Sequence, residues 1–362
     1  MVANELLESR ILQVNIPVVS ICLPNLNTRP FLEERMESIL RQTFADWELI
    51  IVDDYSTDGA WELFQKYAQL DSRIKLFRGP KLGLYPGWNA AIERATGDFV
   101  YIATSDDTMS SRCLETLVGL LDKHPSAGLA QCALEIIDEH GAPLPVSQQW
   151  ENYTLGQYNI NFVSQPNFRI APHDGLIHPF LFTICTSVNQ LLVRRKVFET
   201  LGLFEGKWGP IGDFEWHMRV ALVEDCVFTP EKLATWRVHK NQATDHIQTF
   251  HTRLKMIEMS RFAFAKAMKL KPDVLSKLDF EKFIQPLYLD VIEMRLQSTR
   301  SRVKKLAILA QQLKQNPKSV LKWLKLRLFG QPWYFWNCDP RYNELDLLIR
   351  KYGIVQPQLY RV

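Results

Sequence analysis

The six cysteines (Cys22, Cys113, Cys132, Cys185, Cys226 and Cys338) form no CxxC pair and no Cys/His cluster. That excludes a recognisable zinc site and a disulfide scaffold, and it fits a reducing compartment. The opening stretch MVANELLESRILQVN is polar and charged with no apolar core, so no signal peptide is expected. No run of about 18 apolar residues occurs, so no spanning helix is expected. Neither GxGxxG after the first strand nor GxxxxGK[ST] is present, which argues against phosphate cradling by a Rossmann or Walker loop. There is no internal repeat and no low-complexity tract. A cytoplasmic protein is the resulting expectation.

What is present is an ordinary globular composition. The chain has 362 residues, 46% apolar and 23% charged. Its net charge of +3 hides an asymmetry. Residues 246–362 hold 22 of the 43 Lys/Arg but only 9 of the 40 Asp/Glu, leaving an acidic front and a basic back. We divide the chain accordingly into a catalytic domain, 1–245, and a helical basic region, 246–362.

Along the front, apolar β-branched runs alternate with amphipathic ones. PVVSICLPNL (17–26), WELIIVDD (47–54), IKLFRGP (74–80), DFVYIATSDD (98–107) and AGLAQCALEIID (127–138) read as strands. Helical patterns separate them at 29–43, after 55, at 87–97 and at 111–126, with Ser56 or Thr57 as N-caps and Gly97 as a stop. This predicts an α/β fold with a mostly parallel sheet covered on both faces. Ligands in such sheets bind beyond the carboxyl ends of the strands. The Pro24-Asn25 loop and the pairs Asp53-Asp54 and Asp106-Asp107 all fall there. Residues 141–180 show little periodicity and read as a flap near the site.

Adjacent carboxylates at the tip of a buried strand need a compensating charge. Mn²⁺ or Mg²⁺ would supply it and leave positions open for diphosphate oxygens. The alternative is a helix cap beside a solvated loop residue. The order of motifs goes further. VSICLPNLN, FLEERMESILRQTFADWELIIVDDYSTDG and GWNAAIERATGDFVYIATSDD together resemble the family 2 glycosyltransferases over about residues 16–240. The resemblance implies a GT-A type Rossmann-like fold and inverting transfer of one sugar from a nucleotide-diphosphate donor. By it, Pro24, Leu26, Asn27, Asp53, Asp54, Asn89, Asp106 and Asp107 bind the donor. Asp107 is the main metal ligand, with Asp106 touching ribose or metal. His239 of RVHKNQAT approaches the metal or diphosphate. In GDFEWHMR, Asp213 is the general base, with Glu215 and Arg219 completing its motif. Asp213 equally suits a helix cap. Trp208, in a glycine-containing loop beside the base, would stack on the acceptor, although core packing is the plainer use of a tryptophan.

Three positions depart from the family pattern. Thr104 stands where an Asp is usual, Trp88 where an Arg precedes the Asn, and Gly212 where a Glu precedes the base. Lys81 or Arg78 is the nearest substitute for the missing Arg. No Gln-x-x-Arg-Trp motif of processive members occurs. From Arg295 to Asn337 there is no acidic residue, nine Lys/Arg lie between Arg300 and Arg327, and WYFW follows at 333–336. The segment 300–336 therefore reads either as a surface for anionic membranes or as a helical hairpin packed on the front. No nucleic-acid recognition motif accompanies the charge. The expected partners are a nucleotide-diphosphate sugar and a saccharide, lipid-linked or protein acceptor. Two rivals are a catalytically degenerate GT-A scaffold recruited through its basic helices, and a sugar-phosphate nucleotidyltransferase, which would need a Gly-rich loop where PNLNTRP stands.

Overall fold

The structure is a computed structural model that describes residues 17–81, 83–145, 155–181, 183–240, 242, 250–329 and 340–360. Strands β1 (Val19–Asn25) and β2 (Trp47–Asp53) are buried along their whole length, as expected of apolar runs covered on both faces. With β3 (Ile74–Arg78) and β4 (Phe99–Ile102) they form a parallel sheet in the order β3-β2-β1-β4. Helices α1 (Arg29–Leu40), α2 (Ala60–Leu70) and α3 (Leu84–Ile92) make the crossovers. Neither Ser56 nor Thr57 caps α2. Gly59, at φ 88°, is the cap residue, and the Asp58 carboxylate accepts the Ala60 N–H. Gly97 does not close a helix either. It lies against β1, where a Cβ would stand 2.8 Å from the Ser20 nitrogen.

The sheet then changes direction. β7 (Leu191–Arg194) enters antiparallel between β4 and β5 (Ala127–Ile137), reached from β4 through α4 (Cys113–Lys123). β8 (Asp225–Arg237) runs parallel to β5, and β6 (Asn167–Arg169) and β9 (Gln358–Leu359) extend the edge antiparallel. Among the described residues the result is a nine-stranded mixed sheet of GT-A type, parallel at its first end. The expected open flap is partly core: β6 and α5 (His173–Leu181) are packed inward, and every residue of α5 is buried.

The division at residue 245 is not a boundary in the packing. Helices α6 (Arg195–Leu201) and α7 (Gly212–Ala221) share one apolar core with α8 (Phe250–Met268), α9 (Phe280–Gln297) and α12 (Pro340–Lys351). Phe283, Ile284 and Leu287 of α9 belong to the same cluster as Cys22, Ile50 and Trp88 of the front, and β9 adds a strand to the sheet. Helices α10 (Arg302–Gln315) and α11 (Pro317–Phe329) form a hairpin whose Val320 and Trp323 pack on Leu289, Ile292 and Leu296 of α9. The WYFW segment lies outside the described residues. Since Phe283 is fully buried in the shared core, Phe283→Ala is expected to lower stability by about 3–5 kcal/mol. One shifted unfolding transition, followed by both tryptophan fluorescence and circular dichroism, checks this. Two separate transitions would restore the two-domain division.

Candidate active site

Past β4 the chain runs through Thr104, Ser105, Asp106 and Asp107, and the two aspartates turn opposite ways. Asp107 is 2% exposed. Its Oδ1 accepts the Arg237 N–H at 2.7 Å, and its Oδ2 accepts the Asn189 amide at 2.9 Å and the Thr104 hydroxyl. Burial, then the charge of Asp106, pushes its carboxyl up to about 7, against the pull of those donors. Asn189 also donates to the Thr235 carbonyl at 2.6 Å. The Arg237 guanidinium donates to the Asp106 carbonyl at 2.7 Å and to Glu34 Oε2 at 2.6 Å. Both oxygens of Asp107, the expected main metal ligand, thus accept bonds inside the protein, which leaves Asp106 the better placed for a cation. Asp106 is the outward carboxylate, with Oδ2 3.0 Å from His239 Nε2.

His239 faces Asp106 in a telling tautomer. Its Nδ1 lies 2.8 Å from the Lys240 carbonyl, which can only accept, so Nδ1 carries a proton. A neutral imidazole would then point an Nε2 lone pair at the Asp106 oxygen. Only a second proton or a cation makes that contact attractive. Asp106 accordingly raises the His239 pKa. This ion pair contributes to stability in full below the ordinary imidazole value of about 6.5 and fades as pH rises through the raised one. One carboxylate oxygen and one imidazole nitrogen fit Mn²⁺ or Mg²⁺. Among the described residues no group of three His, Cys, Asp or Glu gathers, so water and diphosphate oxygens would complete the shell.

At the neighbouring strand ends the predicted donor residues divide into scaffold and surface. Asp53 is fully buried and accepts from Asn25 at 2.8 Å, from the Ser56 N–H at 3.1 Å and from Arg78 at 2.6 Å. Fully buried and held by these partners, it does not face a donor, which corrects that assignment. Arg78, so engaged, stacks 3.6 Å over Trp61 and does not replace the missing Arg. Asn27, at φ 54°, donates its N–H to Ser56 and accepts the Thr57 N–H, both at 2.9 Å. Pro24 is buried, and Leu26 is exposed. Asp54 accepts the Lys81 N–H at 2.7 Å. Beside it the exposed Tyr55 ring lies 4.2 Å from Lys81 Nζ. Leu26, Asp54 and Tyr55 thus offer one apolar, one acidic and one aromatic group to solvent.

The other carboxylate, Asp213, sits half-buried in the first turn of α7, where the helix dipole favours it. The Tyr85 hydroxyl donates to its Oδ1 at 2.9 Å while accepting its N–H at 2.9 Å. The Phe214 N–H adds a third bond, to Oδ1, at 3.0 Å. Burial raises the carboxyl pKa, and the Tyr85 hydroxyl pulls it back. A Cβ on Gly212 would stand 2.7 Å from Tyr85 Cε2. The missing Glu and the tyrosine therefore occupy one space. Trp88, standing where an Arg was expected, packs edge-on to Tyr85 at 5.2 Å and to Phe204 at 5.1 Å.

Four assigned residues do not reach this surface. Glu215 and Arg219 are fully buried, paired at 2.8 Å, and Arg219 also holds the carbonyls of Leu201, Gly202 and Leu203. They anchor a loop and do not touch a substrate. Asn89 uses both ends of its amide on Phe204, at 2.9 and 3.0 Å. Trp208 is buried, its ring 5.5 Å from Phe262 of α8, so the acceptor-stacking assignment falls. Sequence reasoning missed Tyr85, Asn189, Arg237 and Glu34. Tyr85 stood beside a quoted motif and Glu34 and Arg237 within quoted ones, but nothing local signalled their partners.

Residues 20–182 match Glycosyl transferase family 2. Among curated relatives, TuaG of Bacillus subtilis, a putative teichuronic acid biosynthesis glycosyltransferase, is 33% identical over 129 residues, 35% of this chain and 51% of that protein. EpsJ of B. subtilis, an uncharacterized glycosyltransferase, is 38% identical over 102 residues, 28% of this chain and 30% of EpsJ. The match thus spans a third to a half of these relatives. Among solved structures, S. aureus TarS 1–349 in complex with UDP-GlcNAc superposes with a TM-score of 0.59 at 13% identity, covering 95% of this chain and 93% of that one. That likeness supports the GT-A type fold.

Tyr85→Phe keeps the ring packing but removes the hydroxyl that donates to Asp213, accepts its N–H and lies 3.2 Å from the Pro210 carbonyl. A rise in the Asp213 pKa, read by carboxyl NMR, is expected with a stability loss of about 1 kcal/mol. An unchanged Asp213 titration would remove Tyr85 from this role.

Proposed function

Residues 20–182 are a glycosyl transferase family 2 segment, and from that premise we propose that the chain transfers a single sugar from a nucleotide-diphosphate donor to an acceptor hydroxyl, with inversion. The observation that carries this reading is the separation of two carboxylates with different surroundings. Asp106 faces an imidazole, whereas Asp213 faces a tyrosine hydroxyl. A general base must stand apart from a cation, since a metal-bound carboxylate is a poor proton acceptor.

In this reading Leu26, Asp54 and Tyr55 receive the nucleoside, and Asp106 with His239 faces the diphosphate. The chemistry that a Mn²⁺ or Mg²⁺ ion on Asp106 and His239 supplies when bound is neutralisation of the charge on the leaving diphosphate. Asp213 takes the proton of the acceptor hydroxyl. The oxygen then bonds to the anomeric carbon from the face opposite the diphosphate, which leaves with the electron pair of the broken C–O bond. Tyr85 keeps Oδ1 of Asp213 fixed and leaves Oδ2 for the acceptor. A saccharide or lipid-linked acceptor, as in surface polysaccharide assembly, suits the relatives' names. A binding protein without transfer is the second reading, favoured by Thr104, Trp88 and Gly212.

Calorimetric titration of UDP, GDP and dTDP with and without Mn²⁺ tests the donor. Metal-dependent binding of one diphosphate is expected, lost in Asp106→Asn. Because the cation replaces the Nε2 proton of His239, Mn²⁺ binding below the raised His239 pKa is expected to release a proton. Its heat will then depend on the buffer's ionisation enthalpy. Once a donor is found, Asp213→Asn is expected to keep its affinity and lower transfer by about 10²–10⁴-fold. Failure of every nucleotide to bind folded protein supports the second reading.

A further inference from the structure

The hairpin of α10 and α11 separates its cations by face. Two of its cations are paired: the half-buried Lys322 lies 2.6 Å from Glu344 Oε2, and Arg327, though exposed, contacts Glu293. Arg302, Lys304, Lys314, Lys318 and Lys325 are exposed, and among the described residues none has a carboxylate within ion-pair distance. Between these cations lie apolar stripes at helical spacing. In α10 the stripe is Val303, Leu306, Ala310 and Leu313, with Val303 and Leu306 76% and 68% exposed. In α11 it is Leu321, Leu324 and Leu328, with Leu321 and Leu328 60% and 72% exposed. The opposite sides of the two helices are the ones packed toward α9, through Ile308, Leu309, Val320 and Trp323. Each helix is thus amphipathic twice over, once toward the protein and once toward solvent.

We propose that this outer face docks on an anionic lipid bilayer, with the Val303–Leu313 and Leu321–Leu328 stripes at the acyl boundary and the flanking lysines and arginines on lipid phosphates. Two observations select this occupant. An apolar stripe edged by cations matches an interface of acyl chains beneath anionic headgroups, whereas nucleic acid offers no apolar surface to cover leucines. A second copy would set lysine against lysine. Among the described residues no helix is long and apolar enough to cross a membrane, so attachment through this face would be peripheral. The inference does not depend on the donor or on transfer.

The test is co-sedimentation of the full chain with vesicles of phosphatidylcholine alone and of phosphatidylcholine with phosphatidylglycerol, at low and high salt. Binding is expected only to the anionic vesicles, weakened by salt. Lys304→Gln and Lys318→Gln should each weaken it roughly fivefold. Leu306→Ser with Leu321→Ser should weaken it by more than either, with far-UV circular dichroism unchanged, because these side chains are exposed. No sedimentation with anionic vesicles at low salt overturns the proposal. So does binding that survives the leucine substitutions, since charge alone would then account for it. A dimer of the parent chain that the leucine variant converts to monomer would reassign the face to self-association.

Discussion

The carboxylate of Asp107 is the point on which the site depends. A buried ionised carboxylate without partners costs several kcal/mol, and this one is offset by donors from three places: Thr104 just past β4, Asn189 before β7, and the Arg237 N–H at the end of β8. Those donors tie together strands that are distant in sequence and opposed in direction. Arg237 extends the tie to α1 through Glu34. The carboxyl lies near neutrality, so the donors do not fully offset burial and the charge next door. The strand end is thus held by a bond network whose strength depends on what happens at Asp106, one residue away. Any positive charge arriving there favours the ionised Asp107 and tightens the same network.

The second carboxylate is held by other means. Asp213 receives no ion pair among the described residues. It has a hydroxyl, the Phe214 N–H and a helix N-terminus. Burial leaves it more basic than an exposed aspartate, which is the direction the proposed proton acceptor needs. The tyrosine that supplies the hydroxyl is itself fixed by rings. Tyr85 stacks 5.6 Å from Phe204, and Trp88 closes edge-on to both. Read singly, Gly212 and Trp88 are defects in a motif. Together with Tyr85 they form one packing solution, in which a hydroxyl from α3 stands where an acidic side chain would have preceded Asp213.

Much of this was legible in the sequence, and the remainder was hidden for definable reasons. Strand and helix alternation is local, and β1 to β5 fall where buried β-branched runs predict them. The convergence of Asp53-Asp54 and Asp106-Asp107 on one edge follows from parallel strands. Which member of each pair faces inward does not. Neighbouring residues at a strand end point to opposite sides, and both pairs read as Asp-Asp. In one the first residue is buried and in the other the second, because different partners wait inside: Arg78 and Asn25 for Asp53, Asn189 and Arg237 for Asp107. Those partners come from remote parts of the chain, as does Tyr85, 128 residues from Asp213. The same limit explains Glu215 and Arg219. Their spacing of four is that of an ion pair on one helix face, and only the loop at 201–203 shows that this face is internal.

The placement of the basic hairpin acquires meaning from the shared core. α11 rests on α9, and α9 packs into the cluster that also holds α5 and α7. Asp213 at the start of α7 and the outer face of the hairpin are therefore linked through α9, which contributes to both the main core and the smaller cluster under the hairpin. A flexible tether would hold the enzyme near a surface without fixing how its site faces that surface. A hairpin packed on α9 would fix both. For an acceptor anchored in a bilayer, that rigidity would convert docking into orientation, presenting Asp213 to hydroxyls at a set height above the headgroups. On that docking the charge asymmetry of the chain would acquire a physical sense: the basic half would meet lipid, leaving the strand-end aspartates of the acidic half for the proposed cation and donor.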